Sequence, residues 1–436
     1  MIFNLKRWLP IAFVALCTAS FLCAAEMTGS EPNVVLIIAD DLGIQLGCYG
    51  DPQAKTPNID RLAEEGVRFE TAWVTAASCS PSRGSIHTGL YPHQNGLVGL
   101  AHHGFSLNKR YPTIASELKA AGYRTGIIGK HHIAPLDVCP WDFQLTQENN
   151  LDLLANNRDV RGMATIAEGF VAGNTGPFFL VMSYIDPHVP LYDQRLGLPE
   201  NPRSANETKA LPFSGYSSQA LRERTANYLN CISRLDTGIG DFVAMLDRNG
   251  VLENTLIIFI GDHGAPFARA KMSNYDQGLR IPFIVRGPNV TRSLVSQQPV
   301  STIDILPTLL DFTGSEPMRH LPGLSLREHL EGSAPFDPNR ALFASYHAHQ
   351  ADAVFPMRWS FEYAVICMDT GKPEYPAMMS LVVTLVAGEA YGKTDLKEYG
   401  AYKANKIYEY TKEQGSFTEY NSPNYTIVTL NKHVQS

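Results

Sequence analysis

Asn33-Val-Val-Leu-Ile-Ile-Ala39, followed directly by Asp40-Asp41, is the stretch on which the fold turns. Its apolar residues run without polar interruption and are rich in β-branched types. Such a run suits a strand buried on both faces of a parallel sheet, whereas a half-exposed strand would alternate. Similar short runs recur at Tyr123–Ile128, Phe178–Ile185, Leu256–Ile260 and Ile281–Val285. Helical patterns lie between them. Thr56-Pro57 opens one with Ile59, Leu62 and Ala63 on one face, and Gly66 ends it. Thr113 caps a second that stops near Gly122, and a long one runs from about Gln219 to Arg248. Strands alternating with helices predict an α/β domain with a mostly parallel sheet. From about Ser333 onward the chain is richer in Tyr and Lys and lacks clear helical periodicity, which predicts a smaller C-terminal subdomain.

The composition narrows the function classes. The chain has 436 residues, 44% hydrophobic and 18% charged, which excludes a disordered polymer. Its formal net charge is −7, which argues against general nucleic-acid binding, and any anion must be met by a local cluster of cations. Residues 1–25 read as a secretory signal peptide: Lys6 and Arg7, then an apolar run from Leu9 to Leu22, then small Ala24 and Ala25. No other stretch is long and apolar enough for a stable membrane span. Seven Cys are present: Cys17, Cys23, Cys48, Cys79, Cys139, Cys231 and Cys367. That is too few for a disulfide framework in a chain this long, and the lack of any CxxC pair argues against a Cys-based zinc site. Asn206, Asn289 and Asn424 begin N-x-S/T sequons.

Polar residues mark the strand ends. The first strand ends in Asp40-Asp41, the Tyr123 strand in Gly129-Lys130-His131-His132, and the Phe178 strand in Asp186-Pro187-His188. The Leu256 strand is followed, after Gly261, by Asp262-His263-Gly264. Ligands in open α/β sheets collect at the carboxyl ends of strands, so these residues are expected to converge. Asp40, Asp41 and Asp262 together would repel one another, and a divalent cation relieves that; hard oxygen ligands suit Ca²⁺ or Mg²⁺. His263 adds a nitrogen donor. In Cys79-Ser80-Pro81-Ser82-Arg83, Ser80 suits an N-cap and Pro81 the first helical position. Cys79 then stands at a helix N-terminus that favours anions, with Arg83 one turn on. Lys130, His132, His188 and Lys271 are the candidate cations beside this site. Read singly, each of these residues has an ordinary structural explanation; their shared placement is what raises a functional one.

Cys79-x-Pro81-x-Arg83 followed by Gly84, and then by Thr88-Gly89, resembles the signature of the type I sulfatases. The resemblance runs from about Pro32 to Thr313. It includes Thr56-Pro57-Asn58-Ile59-Asp60, Gly278-Leu279-Arg280-Ile281-Pro282 and Asp304-Ile305-Leu306-Pro307-Thr308 as well as the strand-end motifs. His93-Gln94-Asn95-Gly96, Arg124–Lys130 and Pro356-Met357-Arg358 are most similar to the heparan N-sulfatase branch, which hydrolyses N-sulfoglucosamine. His263 stands where several members carry Asn, and the similarity fades after Arg358.

The resemblance implies an alkaline-phosphatase-like α/β/α sandwich. It places a catalytic domain over 31–315 and a diverged or incomplete C-terminal subdomain over 316–436. It also implies one Ca²⁺ per subunit, with Mg²⁺ or Mn²⁺ as the less favoured ions, held by Asp40, Asp41, Asp262, His263 and residue 79. Cys79 would be oxidised to formylglycine by a formylglycine-generating enzyme. One hydroxyl of the aldehyde hydrate attacks sulfur; the other then loses its proton, regenerates the aldehyde and expels sulfate. Arg83 would steady the modified residue, while Lys130, His132, His188 and Lys271 would bind the sulfo group and move protons. The implied substrate is a sulfated carbohydrate, ester or sulfamate. The implied setting is secreted, periplasmic or lysosomal, and a homodimer is compatible with it. Two alternatives remain open at this level: a phosphate-ester or phosphonate hydrolase of the same superfamily, and a non-catalytic secreted glycan-binding relative.

Overall fold

The computed structural model describes residues 31–146, 158–334, 337 and 340–347, with further strands at 360–369, 377–386 and 427–429. The expected leader at 1–25 and the Pro356-Met357-Arg358 motif lie outside the described residues.

The central sheet contains β1 (Asn33–Ala39), β2 (Val67–Phe69), β4 (Arg124–Gly129), β5 (Phe143–Thr146), β6 (Phe178–Tyr184), β7 (Thr255–Gly261), β8 (Phe283–Arg286) and β9 (Leu294–Ser296). Its order is β5-β4-β6-β1-β7-β8-β2-β9. Every neighbouring pair is parallel except those made by β8, which opposes both β7 and β2. The sheet is therefore mostly parallel, as its apolar runs predict. The short β3 (Ala72–Trp73) pairs with β10 (Val300–Ser301) outside it. Strands this short carry no periodicity of their own, so β2, β3, β9 and β10 could not be anticipated; tertiary pairing creates them.

The alternation of β1 explains the layering. Val34, Leu36 and Ile38 point into one buried core, and Val35, Ile37 and Ala39 into another. The first core takes Ile86 of α2 (Cys79–Thr88), Ile114 and Leu118 of α3 (Ile114–Ala120), and Leu306 and Leu309 of α6 (Ile305–Phe312). The second takes α1 (Pro57–Glu64), α4 (Val160–Val171) and α5 (Gln219–Arg248). Helices thus cover both faces of one sheet, the α/β/α sandwich. In α1, Ile59, Leu62 and Ala63 are buried as their spacing requires. Its first turn is capped from outside: the Asp236 carboxylate of α5 accepts N–H bonds from Asn58 and Ile59 at 3.0 and 2.9 Å.

Beyond the sandwich, β11 (Leu342–His347), β12 (Ser360–Asp369), β13 (Ala377–Val386) and β14 (Ile427–Thr429) form an antiparallel sheet in that order. The Ser345 N–H of β11 donates to the Thr75 carbonyl at 2.8 Å, which ties this sheet to the segment leading into α2.

Candidate active site

The four strands that end in polar motifs, β4, β6, β1 and β7, are consecutive in the sheet. Their carboxyl ends therefore lie side by side, and backbone bonds continue the registration past the strands. Asp40 N–H donates to the Tyr184 carbonyl at 3.1 Å, and Asp262 N–H to the Ala39 carbonyl at 2.9 Å. Lys130 N–H donates to the Ser183 carbonyl at 3.1 Å. Gly129 makes that turn feasible. Its φ is +105°, and a Cβ there would lie 1.9 Å from the Ser183 carbonyl oxygen. Asp41 turns into the site in the left-handed region, with φ 64°, which Asp tolerates better than most residues.

The helix that carries Cys79 differs from its sequence reading in one respect. α2 begins at Cys79, with extended Ser78 as its N-cap, rather than at Pro81 with Ser80 as cap. Pro81 is accommodated because the first helical turn leaves its N–H groups unpaired within the helix. Ser80 is free to bond elsewhere, and its Oγ accepts the Ala101 N–H at 3.0 Å.

Around Cys79 the side chains converge closely. Its Sγ lies 3.3 Å from His263 Nε2, 3.6 Å from Asp40 Oδ1 and 3.6 Å from Lys271 Nζ. Ligand atoms of Asp40, Asp41, Cys79 and His263, all buried, lie within 4.8 Å of one another. Asp262 stands beside this group, its Oδ1 3.7 Å from His263 Nε2. That same oxygen accepts the Asp41 N–H at 2.9 Å, and Oδ2 accepts Arg83 Nε at 3.0 Å. Arg83, wholly buried, also donates from Nη1 to the Lys130 carbonyl and to Ser183 Oγ, each at 2.8 Å. Lys130 Nζ pairs with Asp40 Oδ2. Lys271 Nζ lies 2.7 Å from Asp41 Oδ1, and His188 Nε2 lies 4.0 Å from Asp41 Oδ2. His132 comes from the turn after β4 and touches both Cys79 and His102.

The electrostatics follow from these contacts. Burial opposes ionisation of Cys79, but Lys130, Lys271 and His263 outweigh it and hold the thiol well below its usual pKa. Burial also opposes the Asp40 anion, yet Lys130 keeps that carboxyl far below the ordinary range. Asp262 is pushed up to about 6 by burial and by Asp40. His263 resists burial: Asp262, Cys79 and Asp41 raise it to about 9. The site thus draws positive charge toward buried oxygens. A divalent cation satisfies this demand better than a proton on His263, and the His263 Nδ1 contact with the Gly264 carbonyl at 3.0 Å leaves Nε2 to serve as the donor. The residues therefore fit a divalent metal, through oxygen and one nitrogen.

Dialysis against a chelator is accordingly expected to lower the thermal midpoint, with recovery on adding a divalent salt, because an ion bound only by the folded chain stabilises it. A midpoint indifferent to both treatments would remove the metal centre.

Several residues at the site carry no motif. Ser183, Arg158, Arg234 and His102 fall in this group. Arg234 had a readable signal: it occupies an inward position of α5 between Ile232 and Leu235, where a charge implies a buried partner. That partner is Asp186, whose oxygens take Arg234 Nε at 2.6 Å, Arg234 Nη2 at 2.8 Å and Arg158 Nη1 at 2.6 Å.

The sandwich and its strand-end site define a hydrolase of the alkaline-phosphatase-like class. The Sulfatase family description matches residues 32–315, and the chain belongs to that family. It is an enzyme of the type that hydrolyses sulfate esters or sulfamates. The chain is 32% identical to human N-sulphoglucosamine sulphohydrolase over 378 residues, covering 79% of this chain and 74% of that one. It is 28% identical to human arylsulfatase A, covering 77% and 75%. Among solved structures, BT4656 in complex with its substrate D-glucosamine-2-N,6-O-disulfate superposes with a TM-score of 0.63 at 19% identity, over 88% of this chain and 98% of that one. The phosphonate monoester hydrolase of Agrobacterium radiobacter reaches 0.64 at 19% identity, over 91% and 99%. At these identities the structures establish the fold alone. No helix among the described residues is long and apolar enough to cross a membrane.

Proposed function

We propose that this sulfatase removes the sulfo group from sulfated glycans, with N-sulfoglucosamine as its leading substrate. The observation that carries this reading is the cation cluster of Lys130, Lys271, His188 and Arg83 drawn around Cys79, in a chain resembling N-sulphoglucosamine sulphohydrolase. The reaction is assigned to residues 31–315, and 316–436 to an adjoining subdomain. The Sγ of Cys79 stands where a formylglycine hydroxyl would be, after conversion by a formylglycine-generating enzyme. Asp40, Asp41, Asp262 and His263 would hold a Ca²⁺, which would neutralise charge there and make a neighbouring hydroxyl more acidic. The protein acts in a secreted, periplasmic or lysosomal setting.

The chain's own groups do the remaining work. Lys130 and Lys271 are each anchored on a carboxylate, so their ammonium groups are preset toward sulfo oxygens and need no reorganisation. Arg83 ties Asp262 to the Lys130 carbonyl and so fixes two strand ends relative to residue 79. His188 is the acid for the leaving oxygen or nitrogen. Its Nδ1 contacts the Val189 carbonyl at 2.5 Å, which turns Nε2 into the site. Burial works against its proton, but Asp40, Cys79 and Asp41 outweigh that and raise its pKa. The protonated form is therefore present below the raised pKa and lost as pH climbs through it. Activity is expected to fall on that alkaline side. His188→Ala should erase this limb and lower kcat by about 10²–10⁴-fold. An unchanged pH–rate profile in that variant would remove His188 as the acid. Parallel rates on N-sulfoglucosamine, an O-sulfated sugar and a matched phosphate ester test the substrate: the sulfamate should be turned over fastest, and a preference for phosphate would overturn the proposal.

A further inference from the structure

The structure assigns His102 a positioning role in the reaction, exerted through His132; the inference rests on the proposed reading of residue 79 as the reacting group. His102 belongs to no motif, and it is carried by the three-residue turn Ala101–His103. Its Nδ1 lies 2.8 Å from His132 Nε2, and the two rings stack at 5.0 Å with 14° between their planes. The His103 ring meets His102 edge-on at 4.2 Å.

This contact closes a circuit around the nucleophile. Ser80, next to Cys79, accepts the Ala101 N–H at 3.0 Å and so holds the turn. The turn presents His102 to His132, and His132 stands beside Cys79. The His132 backbone sits at φ 56°, in the left-handed region that histidine enters more readily than most residues. The 2.8 Å contact and the stacked rings together hold the His132 imidazole beside residue 79. The orientation of the His132 ring is thereby set from outside the site. His102 is solvent-exposed, so its replacement does not open a core.

The test compares wild type with His102→Ala and His102→Asn on an aryl sulfate. Asn retains a polar group close to the Nδ1 position and can keep the bond to His132. In His102→Ala, kcat is expected to fall about tenfold while KM stays within about twofold. His102→Asn should recover most of the loss, and all three proteins should share one thermal midpoint. The inference is overturned if His102→Ala keeps its kcat, if Asn does no better than Ala, or if the loss lies in KM, which would make His102 a substrate contact. Ring-nitrogen NMR shifts of His132 give a readout free of turnover: they should move in His102→Ala, and unchanged shifts overturn the inference. A wild-type chain inert on every sulfate ester and sulfamate would instead overturn the reading of the site itself.

Discussion

Cys79→Ala is expected to lower kcat on a sulfate ester by at least about 10⁴-fold, with the fold intact by circular dichroism. The variant removes the proposed reacting side chain and one candidate metal donor together, while Lys130, Lys271 and Arg83 keep their carboxylate partners. Cys79→Ser sharpens the test. A serine at this place has one hydroxyl, and once that oxygen bonds sulfur there is no second hydroxyl on the same carbon to expel sulfate. The Ser variant should therefore release about one equivalent of alcohol and then stall, as burst kinetics report. Peptide mass spectrometry across Cys79 in the active wild type should find the sulfur replaced by an aldehyde. An intact thiol throughout an active preparation would eliminate the mechanism, and so would steady turnover by Cys79→Ala.

Asp186→Ala is expected to cost about 3–5 kcal/mol of stability, read as a shift of the urea midpoint at constant slope. Asp186 is buried, and it receives Arg234 through two bonds and Arg158 through one. Removing it strands two guanidinium groups, both buried, with no carboxylate to face. The loss should reach the chemistry as well. Arg158 Nη2 donates to the His188 carbonyl at 2.8 Å, so the segment that carries His188 is braced by the same cluster. Asp186→Asn keeps the shape and loses the charge, so it should fall between wild type and Ala. Equal midpoints for all three would show that the cluster contributes nothing measurable.

Much of the site was legible because chemistry and position coincide in this fold. Uninterrupted apolar strands announce a sheet buried on both faces, and a polar residue placed just after such a strand has one natural destination, the carboxyl edge. Asp40-Asp41, Lys130, His188 and Asp262-His263 could be gathered on that argument before any contact was known. Lys271 follows no strand directly; it joins them as a cation placed a little beyond the Asp262-His263 strand end. The start of α2 was misjudged by two residues because a Ser-Pro pair is an ordinary helix opening, and only the tertiary bond from Ala101 reveals that Ser80 is engaged elsewhere. Arg158 and His102 left no trace in the local pattern, since their partners lie 28 and 30 residues away.

The amino-acid sequence alone therefore determined the mostly parallel α/β sheet, the residue types available to meet an anion and, through its motifs, the family resemblance that implies the layer order. Local periodicity and short motifs carry that information, because burial of an apolar face depends on neighbours three or four residues apart or on alternation. Only the tertiary structure decided which carboxylate oxygen meets which cation, that Arg83 bridges Asp262 to the Lys130 carbonyl, and that Asp186 is shared by two buried arginines. Those pairings join strands and helices distant along the chain, and the packed sandwich brings their ends to within hydrogen-bonding reach.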